Sequence, residues 1–179
     1  MGERLFRAGI RIVDDPLRRR GLRSRPFDGE GIAGRALAVI DDGVLKSWFL
    51  DSATARELSL ATTGHASRGV SSSPSPSPTN LHLEAGAKSP QELIGDIADG
   101  FYVTDLIGMG ANLVTGDYSR GASGLWIENG ELTYPVSEVT IAGHLNDIFA
   151  SLEPANDLEF RYGTNAPTVR MEGLTVAGH

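Results

Sequence analysis

Short β-branched and aromatic runs, broken repeatedly by glycine and proline, dominate the chain, and few stretches carry apolar residues at helical spacing. Residues 8–13 (AGIRIV) read as a strand that stops at Asp14-Asp15-Pro16, where proline removes a backbone donor. Residues 17–34 have no period and read as a long loop. ALAVI and VLKSWFL, within 36–50, read as a hairpin joined at Asp42-Gly43, a pair that tolerates positive φ. Asp51 or Ser52 then caps a short helix over TARELSL that ends near Gly64. Residues 64–80 alternate serine and proline, which favours extended chain without internal hydrogen bonds, so a flexible loop is expected there.

The second half begins with a short strand, LHL (81–83), and then the clearest helix start in the sequence. Ser89-Pro90-Gln91-Glu92 forms a capping box with proline at the first helical position. Leu93, Ile94, Ile97 and Phe101 follow at helical spacing, with Gly100 placed as a C-terminal cap. FYVTDLIG, NLVTG, GLWIE and LTYPVSEVTIAG read as strands, with Asn129-Gly130 as a hairpin turn. HLNDIFASL (144–152) is an amphipathic helix with Leu145, Ile148, Phe149 and Leu152 inward, and DLEFRYG and PTVRMEGLTVAG read as two final strands. Consecutive hairpins predict an α+β fold, β-dominated and mostly antiparallel, with about three short helices. So many strands in a small domain predict a strongly curved or barrel-like sheet, which limits exposed edges.

Length and charge narrow the picture. A chain of 179 residues is read as a single domain, 1–179. It has no run of 18 apolar residues and no apolar stretch of signal-peptide type at its start, so no membrane association is expected. There is no cysteine, which removes disulfides and thiolate ligands and fits a cytoplasmic protein. The net charge of -7 is uneven: residues 1–35 hold nine arginines and five acids, while the rest is strongly acidic. An acidic body argues against direct nucleic-acid binding. The arginines at 18, 19, 20, 23 and 25 read as a solvated loop pairing with Asp14, Asp15, Asp28 and Glu30.

Chemistry is sparse. None of His65, His82, His144 or His179 belongs to a helical zinc-peptidase motif. His82 and Glu84 share a strand face, a weak metal signal. Gly116-Asp117-Tyr118-Ser119-Arg120-Gly121 is the densest polar cluster between strands, and is read as a structural corner with Asp117 and Arg120 paired across it. Ser119 with His144 and Asp147 is one possible hydrolytic set, although a nucleophile-elbow motif is missing.

Residues 112–145, NLVTGDYSRGASGLWIENGELTYPVSEVTIAGHL, strongly resemble the TldD/PmbA family, once called modulators of DNA gyrase. DDPL (14–17), RPFDGEG (25–31), DDGVLKSWFLDS (41–52), PSPTNLHLEAG (76–86), NDLEF (156–160) and PTVRMEGLTVAG (167–178) resemble family segments in order, so the resemblance covers nearly the whole chain. It implies intracellular proteolysis by a pair of subunits, one with zinc (TldD type) and one without (PmbA/TldE type), acting on unfolded peptides. The zinc subunit takes ligands from an H-E-x-x-x-H helix and a C-terminal cysteine. The cysteine is missing here, although the C-terminal region is present, which places the chain with the PmbA/TldE type. The expectation is therefore a fragment equivalent to the C-terminal domain of such a subunit. It would have no cofactor of its own, with zinc only in a TldD-type partner, and could pair with itself in isolation. Asp117, Tyr118, Ser119 and Arg120 would face peptide or partner, and no residue would be catalytic. Two alternatives stand beside this: a hydrolase built around Asp117, Ser119 and His144, and a binding protein linked to DNA gyrase.

Overall fold

The computed structural model describes residues 1–178. In chain order the elements are β1 (Ile12–Asp14), β2 (Leu37–Asp41), β3 (Val44–Leu45), α1 (Ser52–Glu57), β4 (Ala66–Ser67), β5 (Ser75–Pro76) and β6 (Leu81–Leu83). There follow α2 (Pro90–Gly95), β7 (Asp99–Ile107), β8 (Asp117–Glu128), β9 (Glu131–His144), α3 (Leu145–Ser151), β10 (Glu153–Pro154), β11 (Thr164–Asn165), β12 (Val169–Arg170) and β13 (Thr175–Ala177). They group into two compact units. The first takes residues 1–4, 8–85 and 158–167; the second takes 5–7, 86–157 and, among the described residues, 168–178.

The first unit is built on a sheet of order β11-β6-β1-β2-β3, antiparallel except for the β11–β6 pair. The Asp42-Gly43 hairpin forms as its sequence dictates, with both residues at positive φ (49° and 74°). The Asp51 side chain caps α1 through Thr54 in a capping box, but the helix stops at Glu57, well short of Gly64. The Ser-Pro stretch is not featureless: β4 pairs with β5, and its two ends are buried, while the tip at 68–73 is exposed.

The second unit carries the longest strands, in the antiparallel order β13-β9-β8-β7. Asn129-Gly130 makes the β8–β9 turn with both φ angles positive. Ala122, Val139 and Ile141 form a buried cluster, packed by Phe101, Val103, Tyr118, Val136 and Val176. α3 runs as expected with His144 as its N-cap and Ile148 buried.

Four expectations from the sequence are corrected. The barrel-like sheet does not form: neither large sheet is closed, because closure requires the outermost strands to pair, and β13 and β7 lie at opposite edges. α2 ends at Gly95, so Gly100 and Phe101 belong to β7, where they pair with Ile127 and Trp126; nine residues of ladder outcompete another helical turn. NLVTG is a turn rather than a strand, because the Asn112 carboxamide accepts the Val114 and Thr115 amides and Gly116 takes φ +84°. DLEFRYG is likewise not a strand; Asn165 Oδ1 accepts the amides of Arg161 and Tyr162, folding the segment into a turn.

Candidate functional site

Asp117, Tyr118, Ser119 and Arg120 open β8 rather than forming a corner. Alternation along the strand leaves Asp117 and Ser119 exposed, while Tyr118 packs on the Ala122 cluster. Asp117 and Arg120, three apart, therefore face opposite ways and do not pair. Asp117 instead accepts the Thr115 hydroxyl at 2.6 Å, and Arg120 Nη2 donates to the Leu106 carbonyl at 3.0 Å. Gly110 to Gly116 fold back against this strand start: Ser119 N donates to Gly110 O and Asn112 N to Asp117 O, each at 2.8 Å. Met109, Leu113 and Val114 project from that turn almost wholly into solvent.

The Ser119–His144–Asp147 set is not assembled. Ser119 lies across from Ala142, and His144 across from Asp117. The His144 ring is committed to backbone, with Nδ1 accepting the Asn146 amide at 3.3 Å and Nε2 donating to the Thr115 carbonyl at 3.0 Å. Asp147 stands in the first turn of α3.

A second constellation, in the first unit, was not visible in the sequence. Asp14 and His65 are both fully buried, with His65 Nε2 3.0 Å from Asp14 Oδ2. Asp14 also accepts the Thr79 amide at 2.7 Å and the Thr79 hydroxyl. His65 Nδ1 faces the Thr63 carbonyl at 2.8 Å. Asn80, also buried, donates to Asp15 O and Ser24 Oγ and accepts the Arg23 amide. Asp28 accepts the amides of Glu30, Ile32 and Ala66 at 2.9 Å each. Burial pushes the Asp28 carboxyl up, but these amides and the nearby Arg25 charge outweigh it and hold it below its ordinary value. The DDPL, RPFDGEG and PSPTN segments thus meet in one polar core, and the pairing expected between the arginine loop and the acids is absent. Asp14 goes to His65 and Thr79, Asp15 to the Leu17 amide, Asp28 to backbone, and Glu30 to Ser52.

These donors do not fit zinc. His65 and His144 spend both ring nitrogens on protein groups, and His82 Nδ1 lies 3.3 Å from the Asn80 carbonyl with its ring edge-on to Phe160. Glu84 pairs with Arg11, not with His82. Among the described residues no group of three His, Asp or Glu side chains is arranged to hold a metal ion.

By comparison with known proteins this β-rich chain is a metallopeptidase-family domain. The model of the PmbA/TldA metallopeptidase C-terminal domain matches residues 1–178, so the chain belongs to the PmbA/TldD family. It is 37% identical over 179 residues to the metalloprotease PmbA of Escherichia coli O157:H7, covering 99% of this chain and 38% of that protein. It therefore spans well under half the length of the curated relatives it matches. The crystal structure of a proposed modulator of a DNA gyrase from Thermotoga maritima superposes with a TM-score of 0.88 at 36% identity, covering 99% of this chain and 41% of that one. TldE from Thermococcus kodakarensis superposes with a TM-score of 0.87 at 25% identity, covering 99% and 42% respectively. Among the described residues no helix is long and apolar enough to cross a membrane.

Proposed function

We propose that this chain acts as a non-catalytic, PmbA/TldE-type domain of a two-subunit zinc metalloprotease that degrades or processes unfolded peptides in the cytoplasm, with zinc held by a TldD-type partner. The observation that carries this reading is the pairing of a match across residues 1–178 with a donor set committed elsewhere: no cysteine, and His65 and His144 bonded at both ring nitrogens. The start of β8 is the partner-facing surface. Asp117 and Ser119 are exposed there, and the turn that folds back against them exposes three large apolar side chains, Met109, Leu113 and Val114, which a partner would cover. The TldD-type subunit is the occupant that the family match supports.

The test is co-expression with a TldD-type subunit. The two should co-purify, with zinc in the partner and peptide cleavage requiring both. One zinc per chain and peptidase activity in the isolated chain would overturn the reading.

A further inference from the structure

The same loop that carries the arginines borders a cavity of about 450 Å³ lined by Arg23, Ser24, Arg25, Ser67, Ser77, Pro78 and Thr79. Its lining holds two guanidinium groups, four hydroxyl side chains and no carboxylate. Arg25 Nε and Nη2 are buried and meet no protein acceptor. Buried cationic donors without a partner are costly, and Asp28, whose carboxylate feels the Arg25 charge, already accepts three backbone amides. The other acids of the region are spent on His65, Thr79, Leu17 and Ser52.

The cavity wall is fixed in advance. Asn80, 1% exposed, holds the Arg23 amide at 3.0 Å and the Ser24 hydroxyl at 2.9 Å, and Arg25 N donates to the Pro16 carbonyl at 2.8 Å. On the opposite side Ser67 is held by the β4–β5 pairing, and Thr79 by Asp14. A wall ordered before binding spares a ligand most of the cost of ordering it.

We propose that this cavity binds a small oxyanion, a carboxylate or a phosphate group, held by Arg23 and Arg25 with the Ser67 hydroxyl as a further donor, since the hydroxyls of Ser24, Ser77 and Thr79 already donate to the Arg18 carbonyl, the Pro78 carbonyl and Asp14. A guanidinium presents paired N–H groups that match two oxygens of such a group, which a cationic or neutral ligand lacks. The site stands independently of any pairing with a zinc subunit.

The experiment is calorimetric and thermal-shift titration of the chain with three probes: inorganic phosphate, a short peptide with a free C-terminal carboxylate, and the same peptide amidated. Binding of the free-acid peptide but not the amide identifies a peptide carboxylate as the ligand. Binding of phosphate, weakened by added salt, identifies a free oxyanion. In either case Arg25→Gln and Arg23→Gln should each weaken binding by about tenfold or more, as expected for loss of a charge-assisted hydrogen bond. Arg23 is exposed, so its variant keeps the test meaningful should Arg25→Gln fail to fold. Arg56→Gln, the same charge change on the exposed last turn of α1, should bind as the parent does. The proposal is overturned if neither phosphate nor the free-acid peptide binds, or if both cavity variants bind as tightly as the parent.

Discussion

Asp14 shows why single residues of this chain resist reading from sequence. Beside Asp15 and ahead of five arginines it looks like a surface acid, yet it is fully buried against His65 and Thr79, contacts separated by 51 and 65 residues. No local pattern carries such a pairing; only the family segments DDPL and PSPTN pointed to these positions, without giving their partners. Removing Asp14 leaves the His65 ring and the Thr79 amide buried without their acceptor, so Asp14→Ala should cost about 2 kcal/mol or more in urea unfolding. A loss near that of an ordinary surface substitution would mean the pair contributes little. Asp28 gives a pH test with a definite sign. Its folded pKa lies below its ordinary value of 3.8, so its stabilisation is fully present above that value and lost as pH falls through the folded pKa. Asp28→Asn should therefore flatten the acid limb of a stability-against-pH curve below about pH 4 and leave a smaller pH dependence there than in the parent.

At the scale of elements, local chemistry was legible wherever a turn or cap is self-contained. Both Asx-Gly hairpin turns and the Ser89 capping box form as read, because their partners lie within three residues. Because α2 is only six residues long, its cap matters, and Ser89→Ala should cost about 1 kcal/mol by thermal unfolding. Where long-range pairing competes, the local reading gave way. The sequence placed a glycine-rich corner at 116–121, whereas β8 runs straight through it and only Gly116 takes a positive φ. Gly121 is extended, and a β-carbon there would meet Ile107 at an ordinary 3.5 Å, so the strain expected at that position is absent. Within β8 the intolerant glycine is Gly124, where a β-carbon would sit 1.9 Å from the Tyr102 carbonyl oxygen across the β7–β8 ladder. Gly124→Ala should destabilise the chain by about 2 kcal/mol or more, and Gly121→Ala by well under half of that, in parallel denaturation curves. Equal losses would show that the ladder can shift to admit a side chain.

At the scale of the whole molecule, the sequence carried the fold class but not the closure of its sheets, since closure depends on which edges meet rather than on any strand's own pattern. It also carried the family, and through it the proposed division of labour between two subunits. If this chain supplies a surface rather than a reaction, its exposed residues at the start of β8 should govern assembly and not chemistry. Leu113 and Val114 bury almost nothing in the chain itself, so Leu113→Asp with Val114→Asp should change its stability by no more than about 0.5 kcal/mol. The same pair should abolish co-purification with a TldD-type subunit, because two carboxylates would be desolvated in an apolar contact. Ser119→Ala gives the complementary result. The histidine nearest in register, His144, spends both ring nitrogens on backbone, so removal of that hydroxyl should leave peptide cleavage by the reconstituted pair within about twofold of the parent. Loss of cleavage on Ser119→Ala, with fold and assembly intact, would return the serine to a catalytic role, and retained assembly of the Leu113/Val114 variant would move the partner surface elsewhere on the chain.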